Sequence, residues 1–189
     1  LLTYIKHFWF TTHSFVRERN NELFKNIKSE IKTSTQVTTF VNNLKNDVDI
    51  YLAIINHNSS YWNDYSNYCK NYIETLNYFR LEQCRPLIFS ILKRFSEQEV
   101  LKSLKLIVSW LVRNLIVGAM GGGTLERAYA EKAKDIFDNK IKTASELRNS
   151  LSKIIPQDDR FKEQFKIATV SQDRNARYYL SAIENYKRG

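Results

Sequence analysis

Glycine and proline are scarce in this sequence of 189 residues. The chain contains five glycines and two prolines, and three of the glycines are consecutive at 121–123. A fold made of many short strands needs frequent tight turns, and those turns depend mainly on Gly, Pro, Asn and Asp. The scarcity of Gly and Pro therefore argues against an all-β fold and favours helices.

Cysteine and histidine are also few. Cys69 and Cys84 are too few for a disulfide framework, and His7, His13 and His57 stand apart from one another, without the ligand spacing of a zinc site. We therefore expect no metal and no other cofactor in this chain. A chain with so little cysteine fits a reducing compartment, so we expect a cytoplasmic location.

The sequence has no long apolar run that is free of charges. Its most apolar stretch, 100–120, contains Lys102, Lys105 and Arg113, and each of these would cost roughly 3 kcal/mol at the centre of a bilayer. The chain starts at Leu1, and it lacks the basic segment and small-residue cleavage site of a signal peptide. We expect a protein without membrane contact, and a domain that belongs to a longer polypeptide.

Core-forming residues, in contrast, are abundant. Hydrophobic residues make up 43% of the chain and aromatic residues 13%, a composition too rich in core formers for a disordered segment. The length suits one domain with a full core. We therefore predict a single helical domain over residues 1–189, with 1–84 and 85–189 as two candidate lobes.

Apolar residues recur at helical spacing along the chain. The clearest amphipathic pattern lies between Val37 and Ile55, where the apolar residues fall in a narrow arc at 100° per residue and are expected to face the core. An aromatic-rich pattern predicts one long helix over Ser60–Phe79. Capping boxes at Ser96–Glu99 and Thr143–Glu146 predict the starts of two further helices. These patterns predict an all-α protein, an irregular bundle of about nine helices.

The glycine run 121–123 is a candidate anion site, because it precedes a helix that Thr124 is expected to cap. It lacks the Lys-Ser/Thr pair of a nucleotide-binding loop, and no strand precedes it. We interpret it as a connection between helices. The last predicted helix, Ser171–Tyr186, is expected to direct Leu180 and Ile183 inward.

The predicted helix from Val100 to Val117 carries the candidate nucleic-acid contacts. Its apolar residues, with Leu115 among them, are expected on one face, opposite Lys102, Lys105 and Arg113. Three cations on one face suit a phosphate backbone, and the net charge of +9 suits a polyanionic partner. The alternative is a solvated charged face without a ligand. We name these three residues as DNA-binding candidates and identify no catalytic, cofactor-binding or metal-binding residue.

Several segments in a fixed order carry a resemblance to a known family. They are HFWFTTHSFVRERNNELFKNIKSEI, EQCRPLIFSILKRF, LIVSWLVRNLIVGAMGGGTLERAYAEKAKDI and ARYYLSAIENY. In this order they resemble the helical region of GmrSD-type modification-dependent (type IV) restriction endonucleases, over nearly all of the 189 residues. The most informative positions are Arg85-Pro86-Leu87, Val112-Arg113, Leu125-Glu126-Arg127 and Ala176-Arg177-Tyr178.

The resemblance implies a role within a larger enzyme. In that family a ParB-like, NTP-using domain with an Asp-Gly-Gln-Gln-Arg motif precedes the helices, and an HNH-type nuclease domain follows them. Neither signature occurs in this chain, so no catalytic residue is carried over. The resemblance implies that the whole protein is a DNA endonuclease with NTPase activity, which cleaves modified foreign DNA in phage defence.

Two functions of different classes follow for this chain, and neither is enzymatic. The first is a helical module that couples the flanking domains of the same polypeptide and contacts DNA. The second is a helical scaffold or protein-interaction domain that does not bind nucleic acid. The three cations on one helix face favour the first function.

Overall fold

The computed structural model describes residues 1–13, 15, 22–118 and 121–188. Over these residues the chain forms ten α-helices and two short 3₁₀ segments, without a strand, which confirms the all-α prediction. The helices are α1 (Leu2–Thr12), α2 (Glu22–Glu30), α3 (Ser34–Ile55), α4 (Asn67–Tyr78), α5 (Arg85–Arg94), α6 (Glu97–Val117), α7 (Gly122–Phe137), α8 (Ala144–Leu151), α9 (Asp158–Ile167) and α10 (Asp173–Arg188).

Helix α5 lies at the centre of the main core, and its residues 86–92 are all buried. It packs mainly against α7 and α1, and the Ser90 hydroxyl donates a 2.7 Å hydrogen bond to the carbonyl of Ala133 in α7. The core contains residues from both sides of position 84, from Tyr4 in α1 to Ile155 after α8. Contacts of α1 with α7 and of α4 with α6 also cross that position.

Helix α3 forms as predicted, but its apolar arc does not all face the core. Thr33 caps the helix in a capping box with Gln36. Tyr51 is buried, whereas four other members of the arc are 41–53% exposed. The exposed members are Val37, Val41, Leu52 and Ile55. The prediction that these four residues face the core was wrong, because the other helices cover only one side of the apolar arc. Residues 34–39 are all exposed.

The aromatic-rich region is not one helix. A 3₁₀ segment, Ser60–Asp64, is followed by a break at Tyr65–Ser66, and the Ser66 hydroxyl then caps α4 by accepting the N–H of Tyr68. The Trp62 indole N–H donates a 2.9 Å hydrogen bond to the carbonyl of Ala53 in α3. This anchor and the serine cap account for the break, because a cap satisfies the free N–H groups of a new helix start.

Helices α6 and α7 are separated at the glycines, as predicted. Gly118 ends α6 with a φ of 61°, in the left-handed region that favours glycine. Helix α7 begins at Gly122, so Thr124 lies in its first turn and is not its cap. The amide N–H of Thr124 already donates to the carbonyl of Gly121, which starts the helix earlier than the side-chain pattern predicted.

The last two helices are the least buried part of the described chain. Helix α9 contains no buried residue, and α10 buries only Tyr179. Leu180 is 68% exposed and Ile183 42% exposed, so the prediction that both point inward was wrong. Among the described helices, none combines the length and apolar character that crossing a bilayer requires.

Candidate nucleic-acid interface

A groove of about 690 Å³ runs between α6 and α8 and ends where α9 begins. Leu106 and Trp110 of α6 and Ile155 after α8 supply its apolar floor. Lys102, Lys105, Ser109 and Arg113 line it from α6, and Ser145, Arg148 and Asn149 line it from α8. The groove therefore combines an apolar base with cations and hydrogen-bonding groups from two helices.

The opposite face of α6 fixes this helix in the core. Val100, Leu104 and Ile107 are fully buried, so the groove face is held at a defined angle. The sequence predicted this division of the helix, and the structure places all three candidate cations in one groove. Leu115 was predicted inward as well, but it is 42% exposed near the end of the helix.

Lys102 at one end of the groove already has an acidic partner. Its ammonium group donates a 2.7 Å hydrogen bond to Glu99, and the other carboxylate oxygen of Glu99 accepts the N–H of Ala144 at the start of α8. The hydrogen bond from Lys102, followed by that from Ala144, holds the pKa of Glu99 below its ordinary value. Glu99 therefore joins α6 to the positive end of α8.

The predicted capping box at Ser96 is not formed. The Ser96 side chain makes no cap hydrogen bond, although Ser96 is the N-cap residue of α6. Glu99 occupies the position that the box assigns to its acid, but its carboxylate is engaged by Lys102 and by α8. Tertiary contact with α8 thus replaces the local bond that the sequence predicted.

Arg113 at the other end of the groove is held by three groups from the segment around the start of α9. One guanidinium nitrogen donates to the carbonyl of Pro156 at 2.9 Å, another donates to the Asp158 carboxylate, and the guanidinium carbon lies 5.2 Å from the centre of the Phe161 ring. The hydrogen bond and charge of Arg113 lower the pKa of Asp158. Arg113 therefore fastens α9 to α6. The Asp158 carboxylate accepts the N–H group that a phosphate oxygen would otherwise accept.

Lys105 and Arg148 differ from these two cations. Both are exposed, and neither forms an ion pair with any residue that the structure describes. Lys105 lines the groove from α6 and Arg148 lines it from α8. Their charges remain available to a ligand.

Arg148 was not among the residues predicted from the sequence. It lies in the last turn of α8, where a basic residue is a common helix-end feature, so its type and position gave no reason to group it with α6. Only the packing of α8 against α6 brings it to the groove. The pairing of Lys102 with Glu99 could have been predicted from the sequence, because an acid three residues before a lysine lies on the same helical face.

Four cations line the groove, and two of them are paired with an acid. The cations are Lys102, Lys105, Arg113 and Arg148, and the acids are Glu99 and Asp158. This balance suits a ligand that carries negative charge and accepts hydrogen bonds, and a phosphodiester backbone has both properties.

His7 and His13 make packing and hydrogen-bonding contacts within the fold. His7 is buried and its Nδ1 lies 2.8 Å from the Tyr51 hydroxyl, and burial lowers the pKa of His7 to about 3. The His13 ring stacks on Trp9 with their centres 3.7 Å apart. Over the described ranges no three His, Cys, Asp or Glu side chains come together as a metal site. Gly121–Gly123 have open space above each α-carbon.

Comparison of the chain with protein-family models, with curated proteins and with solved structures returned no match.

Proposed function

We propose that this chain is a non-catalytic helical module that contacts the backbone of DNA through the groove between α6 and α8. We propose further that it couples the flanking domains of a GmrSD-like restriction endonuclease acting in phage defence. Contacts of this kind position a duplex and do not read its sequence. The module would therefore bind modified and unmodified DNA alike, and recognition of the modification would belong to another part of the enzyme.

The observation that carries the DNA proposal is that Lys105 and Arg148 line one groove from two different helices. Both cations are unpaired within the described chain, and they come from helices whose relative position is fixed by a buried face and by Glu99. Two cations carried by packed helices bind a polyanion with less loss of conformational freedom than two cations on mobile segments. The overall charge of +9 adds a long-range attraction to DNA.

The coupling proposal is supported by the end of the described chain. Helix α10 is anchored by Tyr179, while Leu180, Ile183 and Tyr186 expose an apolar face that the other described residues leave uncovered. Exposed apolar faces of this kind mark contacts with other domains or proteins. In the restriction enzymes that the sequence resembles, an HNH-type nuclease domain follows the helices.

One observation favours the scaffold function instead. Lys102 and Arg113 are each bound to an acid of the same chain, and Arg113 fastens α9. Two of the three cations predicted from the sequence therefore have a structural role that does not require DNA.

A salt titration distinguishes the two functions. Binding of a fluorescent duplex is measured at several salt concentrations for the wild type and for the Lys105→Ala/Arg148→Ala variant. Loss of two phosphate contacts lowers the slope of log affinity against log salt by about 1.8, at roughly 0.9 per contact. The Lys28→Ala/Lys32→Ala variant removes the same charge from exposed positions outside the groove and should leave the slope almost unchanged.

Equal slopes for the groove variant and its control would refute the DNA proposal and leave the scaffold. The comparison requires that all three proteins show the same helical circular dichroism and the same melting temperature. The variant should also weaken binding equally for modified and unmodified duplexes, because the lost contacts are to the backbone.

A further inference from the structure

The exposed apolar face of α3 is a surface that the proposed function does not use. Six apolar residues recur along it, of which four are 41–53% exposed and two are partly buried. They are Val37, Val41, Leu44, Val48, Leu52 and Ile55. At 1.5 Å per residue this face is about 27 Å long, and a continuous apolar surface of that length on one helix suits an opposing helix.

The spacing of these residues is the same, to within one position, when read from either end. Residue numbers pair as 37 with 55, 41 with 52 and 44 with 48, and each pair sums to 92 or 93. In an antiparallel pair of identical helices, residue i lies level with residue 92 − i of the other copy. Every apolar residue of the face then meets an apolar residue: Val37 meets Ile55, Val41 meets Leu52, and Leu44 meets Val48.

The charges beside this face fit the same arrangement. Lys45 and Asp49 are both exposed, lie on one flank of the stripe, and form no ion pair with a described residue. With the twofold axis near residue 46, the two copies of Lys45 lie next to the axis. Measured along the helix axis, Asp49 of the opposite copy then lies about 3 Å from each lysine. The four charges sum to zero. Along the helices their order is Asp, Lys, Lys, Asp, so one Asp–Lys attraction lies at each end of the cluster and the two lysines are neighbours at its centre.

We propose that two copies of this chain associate through α3, antiparallel about a twofold axis that passes near residue 46. The contact is isologous, since the same surface serves both copies. A single helix pair buries less area than the roughly 1,600 Å² of tight complexes, so we expect a weak association, with a dissociation constant on the order of micromolar.

Sedimentation velocity of the chain from about 5 μM to about 500 μM tests the dimer over that range. The wild type shifts from monomer to dimer with concentration. Val41→Glu/Leu52→Glu places acids in the centre of both apolar halves and keeps the chain monomeric throughout. The matched control Leu180→Glu/Ile183→Glu changes two similarly exposed apolar residues on α10 and leaves the dimer intact.

A charge exchange tests the antiparallel geometry. Lys45→Glu alone gathers four acids at the axis, and Asp49→Lys alone gathers four lysines, so each should weaken association about tenfold or more. The double variant Lys45→Glu/Asp49→Lys restores two charges of each sign and restores the dimer. Thermal melts of each variant separate loss of association from loss of folding, because like charges four residues apart also weaken the helix by a few tenths of a kcal/mol.

Three results would overturn the inference. A wild-type chain that stays monomeric at 500 μM would exclude association through α3 over the measured range. Dissociation by the α10 control in place of the α3 variant would move the interface to α10. A charge exchange that fails to restore association would exclude the antiparallel pairing. None of these results bears on the salt titration of the groove, so the two proposals stand or fall separately.

Discussion

Replacement of Asp158 by asparagine removes the carboxylate that holds Arg113, and we expect this change to strengthen DNA binding. In the wild type the guanidinium donates to Asp158 and to the carbonyl of Pro156. Asparagine retains the shape of the side chain but not its charge. Arg113 then keeps its place beside Pro156 and Phe161 and has a full positive charge to offer to a phosphate.

The size of the effect follows from counterion release. One additional phosphate contact steepens the dependence of log affinity on log salt by about 0.9. For two proteins with equal affinity at 1 M salt, this corresponds to about 8-fold tighter binding at 0.1 M salt. Stability should change little, because the Asp158 carboxylate is exposed to solvent, where an ion pair is strongly screened.

The assay is the same duplex titration, carried out on a set of four proteins. They are the wild type, Asp158→Asn, Arg113→Ala and the double variant. Arg113→Ala should cost little affinity in the wild type, where Asp158 already occupies the guanidinium, and should abolish the gain in the Asp158→Asn background. Asp159→Asn is the control, because it removes the same charge from the adjacent exposed residue, which forms no ion pair with a described partner.

The reasoning is refuted if Asp158→Asn and Asp159→Asn change the slope equally. That result would mean that only the overall charge matters and that Asp158 does not compete with a phosphate for Arg113. A gain that survives in the double variant would refute it as well, since the freed contact would then not be made by Arg113.

The remaining predictions concern stability. Glu99→Ala removes both the Lys102 bond and the acceptor for the N–H of Ala144, and should lower the free energy of unfolding by about 1–2 kcal/mol in urea titration. Glu97→Ala, in the same first turn but exposed, should cost much less. Because burial lowers the pKa of His7 to about 3, the unfolded chain binds a proton near pH 6.5 that the folded chain does not. The folded state therefore loses stability as the pH falls from 6.5 towards 3, by about 1.4 kcal/mol per unit from this residue. Urea titrations at several pH values should show a flatter dependence for His7→Gln.

The helices could be predicted from the sequence because their causes are local. Helical spacing of apolar residues located α3 and α6, and the glycine run 121–123 marked the connection after α6. Two of the errors had different causes, one a local cap and the other a distant contact. Ser66 interrupted the aromatic-rich region, and Glu99 left its expected capping role to bind α8.

The candidate site was predictable only for the part that lies on one helix. Three cations on α6 follow from a spacing of three to eight residues, and the structure does place them on one face. Arg148 follows from no spacing, since it lies on another helix, 35 residues after Arg113 in the chain. The partners of Lys102 and Arg113 matter equally, because they decide which cations have charge to offer. One of those partners, Asp158, comes from α9.

The exposed faces of α3 and α10 show what apolar periodicity does and does not determine. The spacing requires that one side of each helix be removed from water, because several apolar side chains left exposed forgo roughly 25 cal/mol for each Å² that burial would cover. It does not determine whether the cover comes from the same chain. In α6 the chain itself supplies the cover, and Leu104 is fully buried; in α3 and α10 Val41 and Leu180 remain exposed. A periodic apolar face that the fold leaves uncovered is therefore a prediction of a partner, and in α3 the symmetric spacing makes a second copy the partner that matches it best.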